Sequence, residues 1–136
     1  MRIITGSARG TRLETPEGLD TRPTAERVKE ALFSMIQFEI DGKRVLDLFG
    51  GSGQLGLEAL SRGAWKATFV DASKEAVETI KTNAKKTKLF DRCVILNTDY
   101  KAFIRGAAGK ERFDIIFLDP PYASELVQDA LERLVR

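Results

Sequence analysis

RVLDLFGGSGQLGLEALSRG, residues 44 to 63, decides the fold. Arg44 to Phe49 has the length and apolar content of a buried strand. LGLEALSRG, residues 55 to 63, reads as a helix ending at Gly63. Between them Gly51, Gly53 and Gly56 fit the spacing G-x-G-x-x-G. Glycines there let the backbone turn sharply and come close to a ligand.

Downstream the same unit repeats. KATFVD (66–71), RCVILN (92–97) and FDIIFLD (113–119) read as strands. SKEAVETIKTNAKKT (73–87), DYKAFIRG (99–106) and SELVQDALERLV (124–135) read as helices. Strands alternating with helices predict right-handed βαβ units, hence a Rossmann-like α/β fold with helices on both faces of a parallel sheet.

Upstream, RIIT and TRLET flank GSARG, which predicts an N-terminal β-hairpin arm over residues 1–20. TRPTAERVKEALFSMI opens the remaining domain, 21–136, with a helix. Thr24 is the expected N-cap, and Val28, Ala31, Leu32, Met35 and Ile36 the expected buried stripe. The arm carries Arg2, Arg9 and Arg12 with no acid up to residue 12. On charge alone that reads as a solvated arm.

Composition narrows the chemistry. At 136 residues, 43% hydrophobic and 31% charged, the chain can bury a real core. A net charge of +2 does not by itself indicate a nucleic-acid partner. One cysteine, Cys93, cannot pair internally and reads as a small core residue. With no signal peptide or long apolar run visible, the expectation is a cytoplasmic protein with no membrane partner. The chain has no histidine, which excludes a His triad, a His-ligated metal and a His base. No metal is expected.

In such sheets ligands bind beyond the carboxyl ends of the strands. Each strand delivers a carboxylate there: Asp47, Asp71, Asp99 and Asp119. Any one of them could merely cap a helix. The glycine spacing alone also suits the pyrophosphate of NAD. Asp47, just before the loop, would oppose a pyrophosphate but favour a cationic ligand. S-adenosylmethionine carries an ammonium and a sulfonium and no phosphate. On charge and order, Asp47 would face its methionine end, Asp71 the ribose and Asp99 the adenine amine. Phe49, Gly51 and Gly53 complete the expected cofactor site.

DLFGGSG, FVDAS, NTDY and DPPY, in that order, resemble the motifs of class I S-adenosylmethionine-dependent methyltransferases acting on exocyclic amines. RIITGSARGTRLETPEG followed by RPTAERVKEALFSMI is similar to the bacterial small-subunit (16S) ribosomal RNA guanine-N2 methyltransferase family. The resemblance implies transfer of a methyl group to guanine N2 in ribosomal RNA, free or within the small subunit. Adenine N6 or cytosine N4 of DNA or RNA are alternatives within the chemistry. An NAD-binding Rossmann protein and a non-catalytic binding module are alternatives outside it.

DPPY (119–122) then has a chemical reason. An aromatic amine is a poor nucleophile because its lone pair is delocalised into the ring. Asp119 and the Pro120 carbonyl can each accept one of its N–H bonds and aim the lone pair at the methyl group. The prolines stiffen the loop and add no competing donor. Tyr122 offers a stacking face for an extruded base. By the resemblance, Arg9, Arg12 and Arg22 are candidate RNA phosphate contacts.

The chain departs from the family in three places. Gly50 stands where alanine is common and Asp71 where glutamate is common. The third departure is that it supplies four strands where class I methyltransferases have seven, so a C-terminally incomplete domain is expected. Residues 113–118 would then form an apolar sheet edge open to self-association.

Overall fold

The computed structural model describes residues 1–15, 23–120 and 124–135. Its sheet has four parallel strands in the order β3-β2-β1-β4, formed by β1 (Arg44–Asp47), β2 (Lys66–Asp71), β3 (Cys93–Asn97) and β4 (Ile115–Phe117). Among the described residues five α-helices accompany it: α1 (Pro23–Met35), α2 (Gln54–Ser61), α3 (Lys74–Lys86), α4 (Tyr100–Ala107) and α5 (Ser124–Leu134). The predicted α/β sheet is therefore present. β4 is shorter than the apolar run around it and, among the described residues, pairs with β1 alone, which places it at one edge of this sheet.

Strand alternation sorts the core into two layers. Val45, Ala67, Phe69 and Phe117 pack with α2, α3 and the N-terminal arm. Leu46, Leu48 and Val70 pack with Phe103 and Ile104 of α4 and Ala130 of α5. The chain runs outward from β1 through β2 to β3, then returns to place β4 on the other side of β1. The strand order thus reverses beside β1, where its carboxyl end and that of β4 meet.

Two N-terminal expectations change. Helix α1 begins at Pro23, so Thr24 lies inside it rather than capping it. Proline suits a first helical position, since its missing N–H has no partner there anyway. The buried stripe is also rotated: Leu32 and Ile36 pack on the core as expected, but Lys29 and Phe33 are the buried positions, while Val28 is 62% and Met35 83% exposed. The rotation follows from Lys29, whose ammonium forms an ion pair with the buried Glu58 at 3.1 Å.

The arm is not a solvated one. Arg2 and Arg12 form a single antiparallel bridge, and Ile3, Ala8 and Leu13 are buried in the main core. Its polar backbone is anchored as firmly. Glu58 accepts from the amides of Ile4 and Thr5, and Ser61 Oγ accepts from the amide of Ala8. Gly6 lies at φ 95°, and a Cβ there would sit 1.8 Å from the Ser61 carbonyl oxygen. Charge alone hid this docking because the anchoring groups are mostly backbone.

Candidate functional site

The glycine turn follows β1. Gly51 and Gly53 have φ 60° and 81°, in the left-handed region that glycine adopts without strain. The Gly53 amide donates back to the Gly50 carbonyl at 2.7 Å and closes the turn. Gly56 serves another purpose. A Cβ on it would lie 2.3 Å from Phe69 Cε1, so its absence lets α2 pack onto β2. At Gly50 an added Cβ would meet only the far end of the Ile80 side chain, at 2.7 Å.

Asp47 ends β1 and is 1% exposed. Its Oδ2 accepts from the Gly56 amide at 3.1 Å. Gly53, the N-cap of α2, has no side chain to offer, so Asp47 satisfies one of that helix's orphan amides from outside. Burial raises its pKa to about 7, with the Gly56 amide opposing and the charges of Asp119 and Asp71 adding to the rise. Asp47 thus lies within electrostatic reach of the other two carboxylates.

That shift predicts a pH dependence. The unfolded carboxyl titrates near 3.8 and the folded one near 7. The contribution of Asp47 to stability is therefore fully present below 3.8, falls as pH rises, and is lost above about 7. Asp47→Asn flattens this slope, and denaturant midpoints across the window measure it. Equal slopes in both proteins would show that Asp47 is ionised throughout.

Asp71 ends β2, with both oxygens engaged: Oδ2 accepts from Gly51 N–H at 3.0 Å and Oδ1 from Ser73 N–H at 2.8 Å. It ties the glycine turn to the neighbouring strand, and each oxygen retains a second lone pair. Asp99 is the N-cap of α4 and accepts from Ala102 N–H at 2.9 Å. For this residue the helix-capping alternative is visible in the geometry. Phe49 is half-buried, its ring centroid 5.2 Å from that of Tyr100. Tyr100 in turn donates to Asp129 at 2.6 Å, which joins α4 to α5.

Asp119 stands just past β4, exposed at its end, yet surrounding protein desolvates it enough to raise its pKa. Pro120 follows, half-buried. Tyr122 and Arg22 lie outside the described residues. Arg9 and Arg12 are exposed. Arg9 lines a cleft of about 440 Å³ between the arm and α1, together with Arg2, Arg27, Glu26 and Glu30. None of the four rim carboxylates lines that cleft. The half-buried Cys93 donates to the Leu89 carbonyl, and burial pushes its thiol up to about 12.

Sequence reasoning missed Glu58. It is fully buried and accepts from Lys29 Nζ, Arg62 Nε and the amides of Ile4 and Thr5. A signal existed: one acid inside LGLEALS, a helix segment with no other charge. Gln54, first in α2, was also passed over. Its Oε1 is buried and has no hydrogen-bond partner among the described residues.

No described helix is long and apolar enough to cross a membrane. Among the described residues no cluster of three or more His, Cys, Asp or Glu side chains is placed to hold a metal.

The sequence pattern of the family described as "Conserved hypothetical protein 95" matches residues 1–136. The chain is similar to "Putative rRNA methyltransferase YlbH" of Bacillus subtilis, 44% identical over 132 residues, covering 96% of this chain and 72% of the relative. It is 37% identical to "Ribosomal RNA small subunit methyltransferase D" of Haemophilus influenzae, covering 98% of this chain and 70% of the relative. Among solved structures it superposes on "Putative methyltransferase yhhF from Escherichia coli" with a TM-score of 0.86 and 36% identity, covering 99% of this chain and 72% of that one.

Proposed function

Because the chain belongs to the family described as "Conserved hypothetical protein 95", we propose that it methylates small-subunit ribosomal RNA in the cytoplasm. S-adenosylmethionine is the methyl donor and the exocyclic N2 of a guanine the acceptor. The observation that carries this reading is the glycine turn at the carboxyl end of β1, with Asp71 accepting from its Gly51 amide, Asp47 accepting from the Gly56 amide just beyond it, and Asp119 just past the neighbouring strand β4.

The residues suit that cofactor. Gly51 leaves its Cβ position open, with nothing nearer than the Phe49 carbonyl oxygen at 4.0 Å, and no phosphate has to face Asp47. Asp71 has spare lone pairs for two ribose hydroxyls. Asp99 has one oxygen on Ala102 N–H and the other available to the adenine amine. Phe49 contributes an apolar wall, and the unpaired Gln54 Oε1 offers an acceptor to a ligand donor. The bound cofactor supplies an electrophilic methyl group.

Asp119 and the Pro120 carbonyl accept the two N–H bonds of the amine and turn its lone pair towards that methyl group. The desolvation that raises the pKa of Asp119 also makes its carboxylate a stronger acceptor when ionised. Tyr122 stacks on the guanine. Arg9, Arg12 and Arg22 hold phosphates; Arg9 does so from a cleft where three arginines, Arg2, Arg9 and Arg27, outnumber the two acids Glu26 and Glu30.

The test has two arms. Calorimetry with S-adenosylhomocysteine and with NADH distinguishes a methyltransferase from a dehydrogenase; tight NADH binding with none for the thioether would overturn the reading. Mass mapping of ribosomal RNA after incubation with protein and cofactor identifies the base, and a product other than N2-methylguanine would overturn the guanine assignment. Asp71→Ala weakens S-adenosylhomocysteine binding by about 1–3 kcal/mol in the same calorimetry. Unchanged affinity would leave Asp71 holding only the Gly51 and Ser73 amides.

A further inference from the structure

We propose that Asn83 is a positioning residue that locks the glycine turn to the N-terminal arm, so that cofactor affinity depends on the arm being docked. The proposal rests on the reading that the turn holds the cofactor. Asn83 is fully buried in α3. Its Oδ1 accepts from the Glu14 amide at 2.7 Å, and its Nδ2 donates to the Glu14 carbonyl at 2.9 Å and the Ser52 carbonyl at 2.8 Å. One carboxamide therefore spends both donors and its acceptor on two segments far apart in sequence.

Ser52 sits between the two left-handed glycines, Gly51 and Gly53. In a trans peptide the carbonyl and the following N–H point in opposite directions. Holding the Ser52 carbonyl therefore fixes the plane that aims Gly53 N–H at the Gly50 carbonyl, the bond that closes the turn. The arm's other anchors, Glu58 and Ser61, lie further along α2, towards its carboxyl end. Asn83 carries the arm's hydrogen bonding to the turn itself. A loosened arm frees the carboxamide to rotate, and the turn loses its external support.

The Glu14 side chain also pairs with Lys86 at 3.4 Å, which supplies a control. Glu14→Ala removes that exposed pair and keeps both backbone bonds to Asn83. Glu14→Pro removes the amide that Asn83 accepts from. Titration with S-adenosylhomocysteine is expected to give about tenfold weaker binding for Glu14→Pro and for Asn83→Ala, with Glu14→Ala within about twofold of the parent. Amide hydrogen exchange separates positioning from general destabilisation. In Glu14→Pro the Gly53 amide exchanges faster, while the amides of β2 keep their protection. Should Asn83→Ala fail to fold, Glu14→Pro at an exposed arm position still decides. Parent-like affinity in a folded Glu14→Pro protein overturns the proposal and leaves the cofactor reading standing. No binding by the parent overturns both.

Discussion

Asp119→Ala slows methyl transfer by about 10²–10³-fold while cofactor affinity stays within about twofold. The asymmetry follows from position. Asp119 stands just past the end of β4, whose register against β1 is fixed through Asp47↔Phe117 and the bond from Leu48 N–H to the Phe117 carbonyl. That register brings Asp119 to the carboxyl end of β1, where the glycine turn begins, without making it part of the turn. An acceptor that strengthens only as the amine becomes pyramidal lowers the barrier and contributes little to ground-state binding. Asp119→Asn keeps an acceptor oxygen but loses the charge, so its rate falls between parent and alanine variant. The measurement is labelled methyl transfer into small-subunit ribosomal RNA, with S-adenosylhomocysteine titrations on the same proteins. A near-normal rate in Asp119→Ala removes the residue from the chemistry.

Glu58→Ala costs about 3–5 kcal/mol of stability, a fall in Tm of roughly 10–20 °C. Its carboxylate is fully buried, and so is the Lys29 ammonium it meets. Truncation leaves that cation, the Arg62 guanidinium and the amides of Ile4 and Thr5 without their acceptor. Desolvation already holds the Lys29 pKa below its usual value, and Glu58 opposes that drop. Without Glu58 the drop deepens. The folded state then favours neutral lysine, so the variant regains stability as pH rises towards the unfolded lysine value. Thermal melts at neutral and alkaline pH test both statements. A Tm within a few degrees of the parent would mean that water replaces the carboxylate at no great cost.

Much of this architecture was legible because it repeats. Each βα unit carries its own apolar strand and its own turn, and the glycine spacing marks where the first strand becomes a helix. The rim carboxylates were legible because a strand end is a definite place in a parallel sheet. What they touch was not. Asp47 proves to cap α2 through Gly56, and Asp99 caps α4, because an orphan helix amide near each is a nearer partner than any ligand. The arm's docking was illegible for a related reason. Its contacts run from backbone amides to Glu58, Ser61 and Asn83, and backbone groups leave no mark in the sequence. The rotated face of α1 has the same origin. An apolar stripe assigns Lys29 to the surface, and only the tertiary pairing with Glu58 places it inside.

The anchoring of the arm also sets an order of events during synthesis. Ile4 must find Glu58, 54 residues later, and Glu14 must find Asn83, 69 residues later. At roughly 5–20 residues per second, several seconds separate the appearance of the arm from the appearance of its partners. The arm, made before its partners, is thus among the last parts to settle. During that interval Ile3 and Leu13 travel uncovered, within reach of any chaperone waiting at the tunnel exit.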